Sequence, residues 1–357
     1  MRRRDRFFAR AGNQSGTLHV WISAPLLCDM EWQRMDEAIK LAVKNSPEGV
    51  KRLMRLFLVL PIRTYFRYAR VRFGKRILWD RVAAHLLWLL KDVKIKTIFG
   101  NTISANAKDI VGRYLYYFGV WEPNLTDWIR RRLKPGNVFV DIGANVGYYS
   151  LLASTLVGDS GKVVAIEALP EIFEKLRGNL EKNGAHNVRA VNMAVWDRAE
   201  LITLFTRSED LPATTTAMHG WADQWNLSQK CQVRAATLPA ILSPEEIKGA
   251  RLIKIDVEGA EWRVVSGLTA LLDDGRSDLE IMVEVAPRML QEQGKSCQDV
   301  LDFFGARGFH PYSIENDYSA AAYYSRTSPR QPKRIVYIPA EAEQTDVIFS
   351  RVDADVL

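Results

Sequence analysis

Cysteine is scarce in this sequence, and so are long apolar runs. Its 357 residues include three cysteines, Cys28, Cys231 and Cys297, which lie far apart and show no CxxC spacing. An odd, scattered set of this kind argues against a disulfide scaffold and against a zinc site. The sequence therefore predicts a reducing, cytoplasmic environment.

No segment is long and apolar enough to be predicted as a membrane span. The best apolar runs, residues 56–62 and 82–90, are bounded by basic residues and fall short of the roughly 20 residues that a bilayer requires. The first residues, MRRRDRFFARAGNQSG, carry charge without a following apolar stretch, so no signal peptide is predicted. We expect residues 1–30 to be disordered, or to precede the native start if translation begins at Met30 or Met35.

The charge is distributed unevenly along the chain. The composition, 47% hydrophobic and 25% charged, is that of a globular protein and excludes a disordered or collagen-like chain. The net charge of +7 arises from residues 1–90, which contain 18 Lys and Arg against 7 Asp and Glu, whereas residues 91–357 contain 31 against 35. We therefore predict a basic, mainly helical N-terminal region over residues 1–95 and a separate domain over residues 96–357.

Residues 50–90 have the pattern of amphipathic helices, with apolar and basic residues on different faces. After Pro61 the apolar face comprises Ile62, Tyr65, Phe66, Ala69 and Phe73, and the basic face comprises Arg63, Arg67 and Arg70. Such a helix suits peripheral contact with the inner face of a membrane. The simpler alternative is that these helices pack on the following domain with solvated arginines. No nucleic-acid-binding motif accompanies the basic residues, which argues against a nucleic-acid partner.

From residue 137 onward, apolar runs alternate with amphipathic stretches. Strands are predicted at residues 137–144, 162–168, 187–195, 251–257, 279–286, 309–314 and 346–351, and helices at residues 148–157, 171–184, 260–272 and 297–305. This alternation predicts a mostly parallel sheet with helices on both faces, and ligands at the carboxyl ends of its strands. Two interruptions, residues 200–232 with one short strand and residues 315–340, are expected to form lids or binding surfaces.

The first predicted strand ends in a glycine-rich motif of the form DxGxNxG. It contains Asp141, Gly143, Asn145 and Gly147. Glycines at these positions allow a sharp turn and close approach of a ligand, but the spacing differs from the GxGxxG fingerprint of dinucleotide sites. An acidic residue suits a ligand with a positive end, and Glu167, at the end of the next strand, can accept hydrogen bonds from ribose hydroxyls. Together these residues predict binding of S-adenosylmethionine. The alternative is a tight turn beside a solvated carboxylate.

A second group of acidic residues follows the fourth strand of the predicted sheet. Strand alternation puts Lys254 and Asp256 on one face, and Glu258 and Glu261 come next, while Glu284 ends the neighbouring strand. Carboxylates close together raise each other's pKa values, which is one way to make a general base. They can also hold a divalent cation, although nothing else in the sequence supports a metal. The alternative is a set of acids that stabilise a helix N-terminus.

The two motifs together resemble the FkbM family of S-adenosylmethionine-dependent methyltransferases. The resemblance rests on VFVDIGANVGYYSLLA and IKIDVEGAEWRVV, preceded by GRYLYYFGVWEPNLTDWIRRRLKPG, and covers residues 96–290. It implies a class I methyltransferase fold, Rossmann-like with a final antiparallel strand. It further implies a donor site at residues 141–147 and Glu167, adenine contacts near Ala194 to Asp197, and methyl transfer to oxygen, in known members often on sugars or polyketide-type products.

The function predicted from these features is O-methylation of a hydroxyl group on a glycan, glycolipid or small natural product. Asp256 is the predicted general base and Glu258 the second choice, while His219 and His310 are lone histidines in weaker contexts. A nicotinamide-dependent oxidoreductase is an alternative that the missing GxGxxG disfavours. A non-catalytic adaptor with a vestigial donor site is a third hypothesis, against which the intact acidic residues argue.

Overall fold

The computed structural model describes residues 53–69, 73–83, 92–206, 215–224, 226–274, 276–325 and 328–357, together with residues 47, 50, 86 and 90. The residues from Arg52 to Leu357 form one compact unit. The predictions for residues 1–30, for the start methionine and for Cys28 lie outside the described residues, as does Arg70. The division into regions 1–95 and 96–357 stays a prediction.

The described N-terminal residues form short helices that pack on the rest of the unit. They are α1 (Leu60–Tyr68), α2 (Lys75–Leu78) and two π-helical turns, Arg55–Val59 and Trp79–Ala83. Phe66 of α1 is buried, and its ring meets the rings of Tyr117 and Phe118 edge-on at 5.8 and 5.7 Å. Arg67 does not face solvent as predicted, because its guanidinium donates to the backbone carbonyls of Lys96 and Leu115. None of the described helices is both long and apolar enough to cross a membrane.

A hairpin and two helices lead into the central sheet. These elements are β1 (Asp92–Lys96), β2 (Thr102–Asn106), α3 (Ile110–Phe118) and α4 (Pro123–Arg132). The buried side-chain amide of Asn179 anchors the hairpin. Its Oδ1 accepts a hydrogen bond from the backbone N–H of Ser104 at 2.8 Å, and its Nδ2 donates to the carbonyl of Val146 at 2.9 Å. The hairpin is thereby fixed beside the glycine-rich loop.

The central sheet has the predicted class I methyltransferase arrangement. Its strands are β3 (Val138–Ile142), β4 (Lys162–Ile166), β5 (Val188–Val191), β10 (Ala250–Ile255), β11 (Glu280–Val285), β12 (His310–Ile314), β13 (Lys333–Arg334) and β14 (Thr345–Ser350). Their order across the sheet is β5-β4-β3-β10-β11-β14-β12-β13. β3, β4, β5, β10 and β11 pair in parallel, and β14 enters antiparallel between β11 and β12. Every residue of β3 is buried, as expected for a strand covered on both faces.

Helices alternate with these strands and cover the sheet. They are α5 (Tyr148–Val157), α6 (Pro170–Lys182), α8 (Leu238–Ile241), α9 (Pro244–Gly249), α10 (Glu261–Ser266), α11 (Thr269–Asp274), α12 (Pro287–Glu292), α13 (Cys297–Gly305) and α14 (Ala320–Ser325). A large buried cluster joins β3, β10, β11 and β14 to α10, α11 and α13. The prediction of a single helix over residues 260–272 is wrong, because the helix is interrupted between α10 and α11. Gly267 passes so close to the Trp196 carbonyl that a Cβ there would lie 2.5 Å from its oxygen.

The described residues between 194 and 236 form a second, smaller sheet. It contains β6 (Ala194–Val195), β7 (Glu200–Thr206), β8 (Thr215–Thr216) and β9 (Ser228–Ala236), in the order β6-β9-β7-β8, and α7 (His219–Gln224) lies between β8 and β9. The prediction of one short strand in residues 200–232 was therefore incomplete. β9 is polar and largely exposed in its first half, so it lacks the apolar run by which the other strands were recognised.

Candidate functional site

A cavity of about 740 Å³ opens at the carboxyl ends of the parallel strands. Its walls include residues 142–145 after β3, residues 167–168 after β4, residues 256–258 after β10, and Glu284 near the end of β11. The two sequence motifs therefore meet in one place, as the topology of such sheets requires.

The glycine-rich loop is folded tightly against the end of β10. Gly143, Asn145 and Gly147 all have positive φ angles, of 78°, 49° and 90°. A Cβ on Gly143 would lie 1.8 Å from the backbone carbonyl oxygen of Asp256. The backbone N–H of Asp256 in turn donates to the carbonyl of Ile142 at 3.1 Å. This close approach of the two motifs requires a residue without a side chain at position 143.

Glu167 is held by backbone donors from two sides. Its Oε2 accepts from the N–H of Asn145 and its Oε1 from the N–H of Leu169, both at 2.9 Å. Burial raises the pKa of Glu167 to about 7, although these hydrogen bonds oppose the shift. A carboxylate offers about four acceptor positions, so Glu167 keeps capacity for the hydroxyl groups of a ribose. The predicted role of Glu167 is compatible with this geometry.

Asp141 lies deeper than its predicted role requires. Its carboxyl group is 1% exposed, and Oδ2 accepts from the hydroxyl of Ser150 at 2.6 Å. The residue is not among the described residues that line the cavity. Asp141 pairs in register with Lys254 on the adjacent strand, and burial raises its pKa while the ammonium of Lys254 opposes this. The structure therefore gives Asp141 a position beneath the binding loop, next to a buried cation.

The expected adenine region is only partly as predicted. Ala194 lines the cavity, together with Met193 and Trp196. Asp197 is turned away, because its carboxylate forms an ion pair with Arg263 at 2.7 Å. Trp196 lies within the predicted adenine region of residues 194–197, directly after the third predicted strand, although it was not singled out there. These apolar side chains make a wall suited to a flat aromatic ring.

Asp256 and Lys254 form a hydrogen-bonded ion pair at the cavity wall. The Nζ atom of Lys254 lies 2.8 Å from Oδ2 of Asp256, and Lys254 is 2% exposed while the Asp256 side chain is 29% exposed. The ammonium also sits 5.1 Å from the centre of the Tyr149 ring. Burial lowers the pKa of Lys254, but the charges of Asp256, Asp141 and Glu122 outweigh it and raise the pKa above its ordinary value. Lys254 therefore remains charged and orients Asp256.

The neighbouring carboxyl groups are kept largely protonated near neutral pH. Burial, followed by the charges of Asp256 and Glu261, raises the pKa of Glu258 to about 8. Glu258 has a positive φ of 50° and lines the cavity. The residue is accessible to solvent at this position. Burial and then Asp256 raise the pKa of Glu284 well above its ordinary value. Asp256, Glu258 and Glu284 thus all line one cavity, and their roles in the reaction stay a prediction.

Glu122 was not recognised from the sequence, yet it lines the same cavity as these acids. It precedes α4, has a φ of 40°, and is 4% exposed. Its carboxylate accepts from the phenol groups of Tyr149 at 2.5 Å and Tyr318 at 2.7 Å. Tyr318 belongs to the predicted binding segment 315–340 and also lines the cavity. The VWEP sequence in the lead-in contained this residue, but only tertiary structure brings it to the site.

The remaining predicted alternatives lie elsewhere. His219 packs against the ring of Phe205, and His310 contacts Arg334 at 2.6 Å; neither lines the cavity. Cys231 and Cys297 are free thiols. Within the described part of the chain, no three His, Cys, Asp or Glu side chains come together in a way that would hold a metal ion.

Replacing Glu261 by Gln should stabilise the protein at pH 8. Glu261 is 1% exposed, its Oε1 accepts from the N–H of Gly259 at 2.8 Å, and burial raises its pKa to about 7. A carboxyl group with a raised pKa in the folded state favours folding when protonated, and this contribution is lost as pH rises from about 4.5 through 7. Gln keeps the acceptor without the charge, so we expect a gain on the order of 2 kcal/mol at pH 8 and little at pH 4.5.

Chemical unfolding at both pH values measures this effect. Glu181→Gln, an exposed substitution on α6, is the control and should change the free energy of unfolding by less than about 0.5 kcal/mol. An equal effect of Glu261→Gln at both pH values would contradict the assignment.

Comparison with known proteins agrees with this geometry. Residues 141–311 match the family model of the methyltransferase FkbM domain, which confirms the resemblance seen in the sequence. Protein-L-isoaspartate O-methyltransferase of Aeropyrum pernix is 39% identical over 89 residues, which are 25% of this chain and 28% of that protein. Its counterpart from Methanococcus maripaludis strain C6 is 41% identical over 59 residues, 16% of this chain and 28% of that protein. The chain thus spans just over a quarter of the length of these relatives.

Among solved structures, methyltransferase FkbM from Methylobacillus flagellatus is similar, with 10% identity and a TM-score of 0.36. The aligned region covers 63% of this chain and 50% of that one.

Proposed function

We propose that this chain, whose residues 141–311 are a methyltransferase FkbM domain, transfers the methyl group of S-adenosylmethionine to a hydroxyl group of a glycan, glycolipid or small natural product. The observation that carries the proposal is the meeting of two structures at adjacent strand ends. One is a glycine-rich loop that holds the carboxylate of Glu167, and the other is the ion pair of Lys254 and Asp256.

The donor end of the cavity has the features that an adenosine-containing ligand needs. Glu167 retains acceptor positions for the ribose hydroxyls, and Trp196, Met193 and Ala194 supply an apolar wall for the base. The glycine-rich loop differs from the GxGxxG motif that binds the pyrophosphate of dinucleotides, and acidic residues line the cavity. Both features favour a ligand with a cationic end over a nicotinamide dinucleotide. The residues present therefore fit S-adenosylmethionine.

For methyl transfer the protein has to align the acceptor hydroxyl with the methyl group and to remove the proton of that hydroxyl. The sulfonium supplies an already activated methyl group when the donor is bound. Asp256 is the exposed member of its ion pair, so it can accept the proton of an acceptor hydroxyl, a role typically worth a factor of about 10² to 10⁴. Lys254 fixes Oδ2 of Asp256 through a contact of 2.8 Å, which aims the carboxylate.

The protonated acids beside Asp256 have a complementary role. Glu258, with a pKa of about 8, is mainly a neutral hydrogen-bond donor and acceptor at pH 7. Glu122 also lines the cavity, and two tyrosine phenols donate hydrogen bonds to it. A wall that both donates and accepts suits a polyhydroxyl acceptor, which is the basis for proposing a glycan or a related small molecule.

Calorimetric titration with S-adenosylmethionine and with NADH tests the proposed function. Binding of the first and not the second supports it, and preference for NADH would favour an oxidoreductase instead. A screen with methyl-labelled donor over sugars, glycolipids and small hydroxylated compounds then identifies the acceptor. Donor binding without transfer to any acceptor would favour a non-catalytic adaptor.

Affinity for S-adenosylmethionine should fall by up to about tenfold as pH is lowered from 8 to 6. The pKa of Glu167 is about 7, so the ionised fraction that binds ribose hydroxyls drops about tenfold over this range. The pH dependence should largely disappear in Glu167→Gln, whose affinity at pH 8 should already be low. Calorimetry at several pH values measures both, and an affinity of the wild-type protein that does not vary with pH would argue against this role.

A further inference from the structure

Apolar side chains are exposed in unusual number on the N-terminal helices. Among the described side chains of residues 53–77, the exposed large apolar ones are Leu53, Phe57, Leu58, Leu60, Tyr68, Phe73 and Ile77. Phe73 is 88% exposed, and Phe57 is 69% exposed. Scattered single apolar residues are normal on a protein surface, but such a concentration in 25 residues of sequence marks a surface that contacts something.

The exposed residues recur at helical spacing. Leu53, Phe57, Leu60 and Tyr68 follow each other at intervals of four, three and eight residues, so they share one face of the helical segment that ends at Tyr68. Phe66, on the opposite face, is buried against the rest of the unit. The helix is therefore apolar on its outer face as well as its inner face. We call Leu53, Phe57, Leu60, Tyr68, Phe73 and Ile77 the N-terminal apolar surface.

The sequence around this surface is strongly basic. Residues 47–83 contain 10 Lys and Arg against 2 Asp and Glu. Some of the cations serve the fold, since Arg63 stacks over the Tyr116 ring at 4.7 Å and Lys75 donates to the carbonyl of Ala69. Arg76, next to Ile77, is 88% exposed and also lies 3.7 Å from the exposed carboxylate of Asp80, a surface ion pair that water and salt screen. Exposed apolar side chains within a basic segment fit the interface of an anionic membrane. The apolar side chains can insert among the acyl chains, and the anionic headgroups attract the basic side chains.

We propose that the N-terminal apolar surface docks the protein peripherally on a membrane that contains anionic lipids. Pairing of two copies through this surface would bring two basic segments together, so like charges disfavour it. A lipid bilayer satisfies both the apolar and the basic components. The inference is independent of the methyl-transfer chemistry, because it uses none of the cavity residues.

Flotation of the full chain with vesicles tests the proposal. The probes are vesicles of phosphatidylcholine alone and vesicles in which about a third of the lipid is phosphatidylglycerol. We expect the wild-type protein to float with the anionic vesicles and much less with the neutral ones. The double variant Phe57→Glu, Phe73→Glu should lose about a hundredfold in partition coefficient, since each phenylalanine that reaches the acyl boundary contributes about tenfold.

A matched control separates membrane contact from a general effect of added charge. Val336 and Tyr337 are 79% and 66% exposed and lie outside the N-terminal segment, so Val336→Glu with Tyr337→Glu should float like the wild type. Unchanged thermal unfolding shows that both variants fold. Failure of the wild type to float, or equal flotation of the two double variants, would overturn the proposal. So would a self-association of the wild type in solution that Phe57→Glu, Phe73→Glu abolishes while flotation is unchanged.

Discussion

Replacing Asp256 by Asn should slow methyl transfer by about 10² to 10⁴-fold and leave the affinity for S-adenosylmethionine within about twofold of the wild-type value. The amide keeps an oxygen that can accept from Lys254, which lies 2.8 Å from Oδ2 in the wild type, so the local structure is preserved. What the variant loses is the group that takes the proton from the acceptor. Rates with labelled donor, combined with calorimetry, separate the two effects.

Two further variants make this result specific. Asp302→Asn removes an exposed carboxylate from α13, where its described partner is Gln298, and should leave the rate unchanged. Glu258→Gln should reduce the rate less than Asp256→Asn, because Glu258 is mostly protonated at pH 7. A wild-type rate in Asp256→Asn would rule out Asp256 as the base, and a larger loss in Glu258→Gln would transfer that role to Glu258.

Introducing a methyl group at Gly143 should abolish donor binding and destabilise the protein. The Cβ of Gly143→Ala would lie 1.8 Å from the carbonyl oxygen of Asp256, and the backbone φ of 78° disfavours any L side chain. Overpacking and left-handed strain each cost about 1 to 3 kcal/mol, so we expect a loss of about 2 to 6 kcal/mol. Because the same displacement moves Asp256 and the loop, affinity for S-adenosylmethionine should fall at least about a hundredfold.

Gly178→Ala is the matched control for this substitution. Gly178 lies within α6, and a Cβ there would meet no atom within 4 Å. Alanine in a helix is favoured over glycine by roughly 0.5 to 1 kcal/mol, so this variant should be slightly more stable and bind the donor normally. Normal donor binding by Gly143→Ala would show that the loop and β10 can separate without consequence.

Local patterns were sufficient to predict the elements whose apolar residues follow a regular period. The helices Tyr148–Val157 and Cys297–Gly305 have the predicted bounds, and β3 lies within its predicted run. β9 was missed because its first half is polar on both faces. The interruption at Gly267 was missed because the apolar period continues across it, and the backbone that packs against Gly267, at Trp196, lies about 70 residues earlier in the chain.

Some residues of the candidate site could likewise be predicted from local sequence patterns, and others could not. Gly143, Glu167 and Asp256 were identified because they lie at the carboxyl ends of predicted strands, where the geometry of parallel sheets brings side chains together. Lys254 was placed on the correct face, but its buried ion pair with Asp256 depends on Asp141 and Glu122, which no local pattern joins to it. Glu122 and its tyrosine partners come from three separate segments. Sequence therefore indicated the donor half of the site better than the acceptor half.

The bond between Tyr318 and Glu122 bears on where the choice of acceptor is encoded in the chain. Both residues line the cavity and both lie outside residues 141–311, the span of the family match. The residues proposed to bind the donor and to accept the proton all lie within that span, whereas this part of the cavity wall comes from the segments on either side of it. Under the proposed function, substitutions in those flanking segments can alter which acceptor binds while the residues proposed for the transfer step stay unchanged.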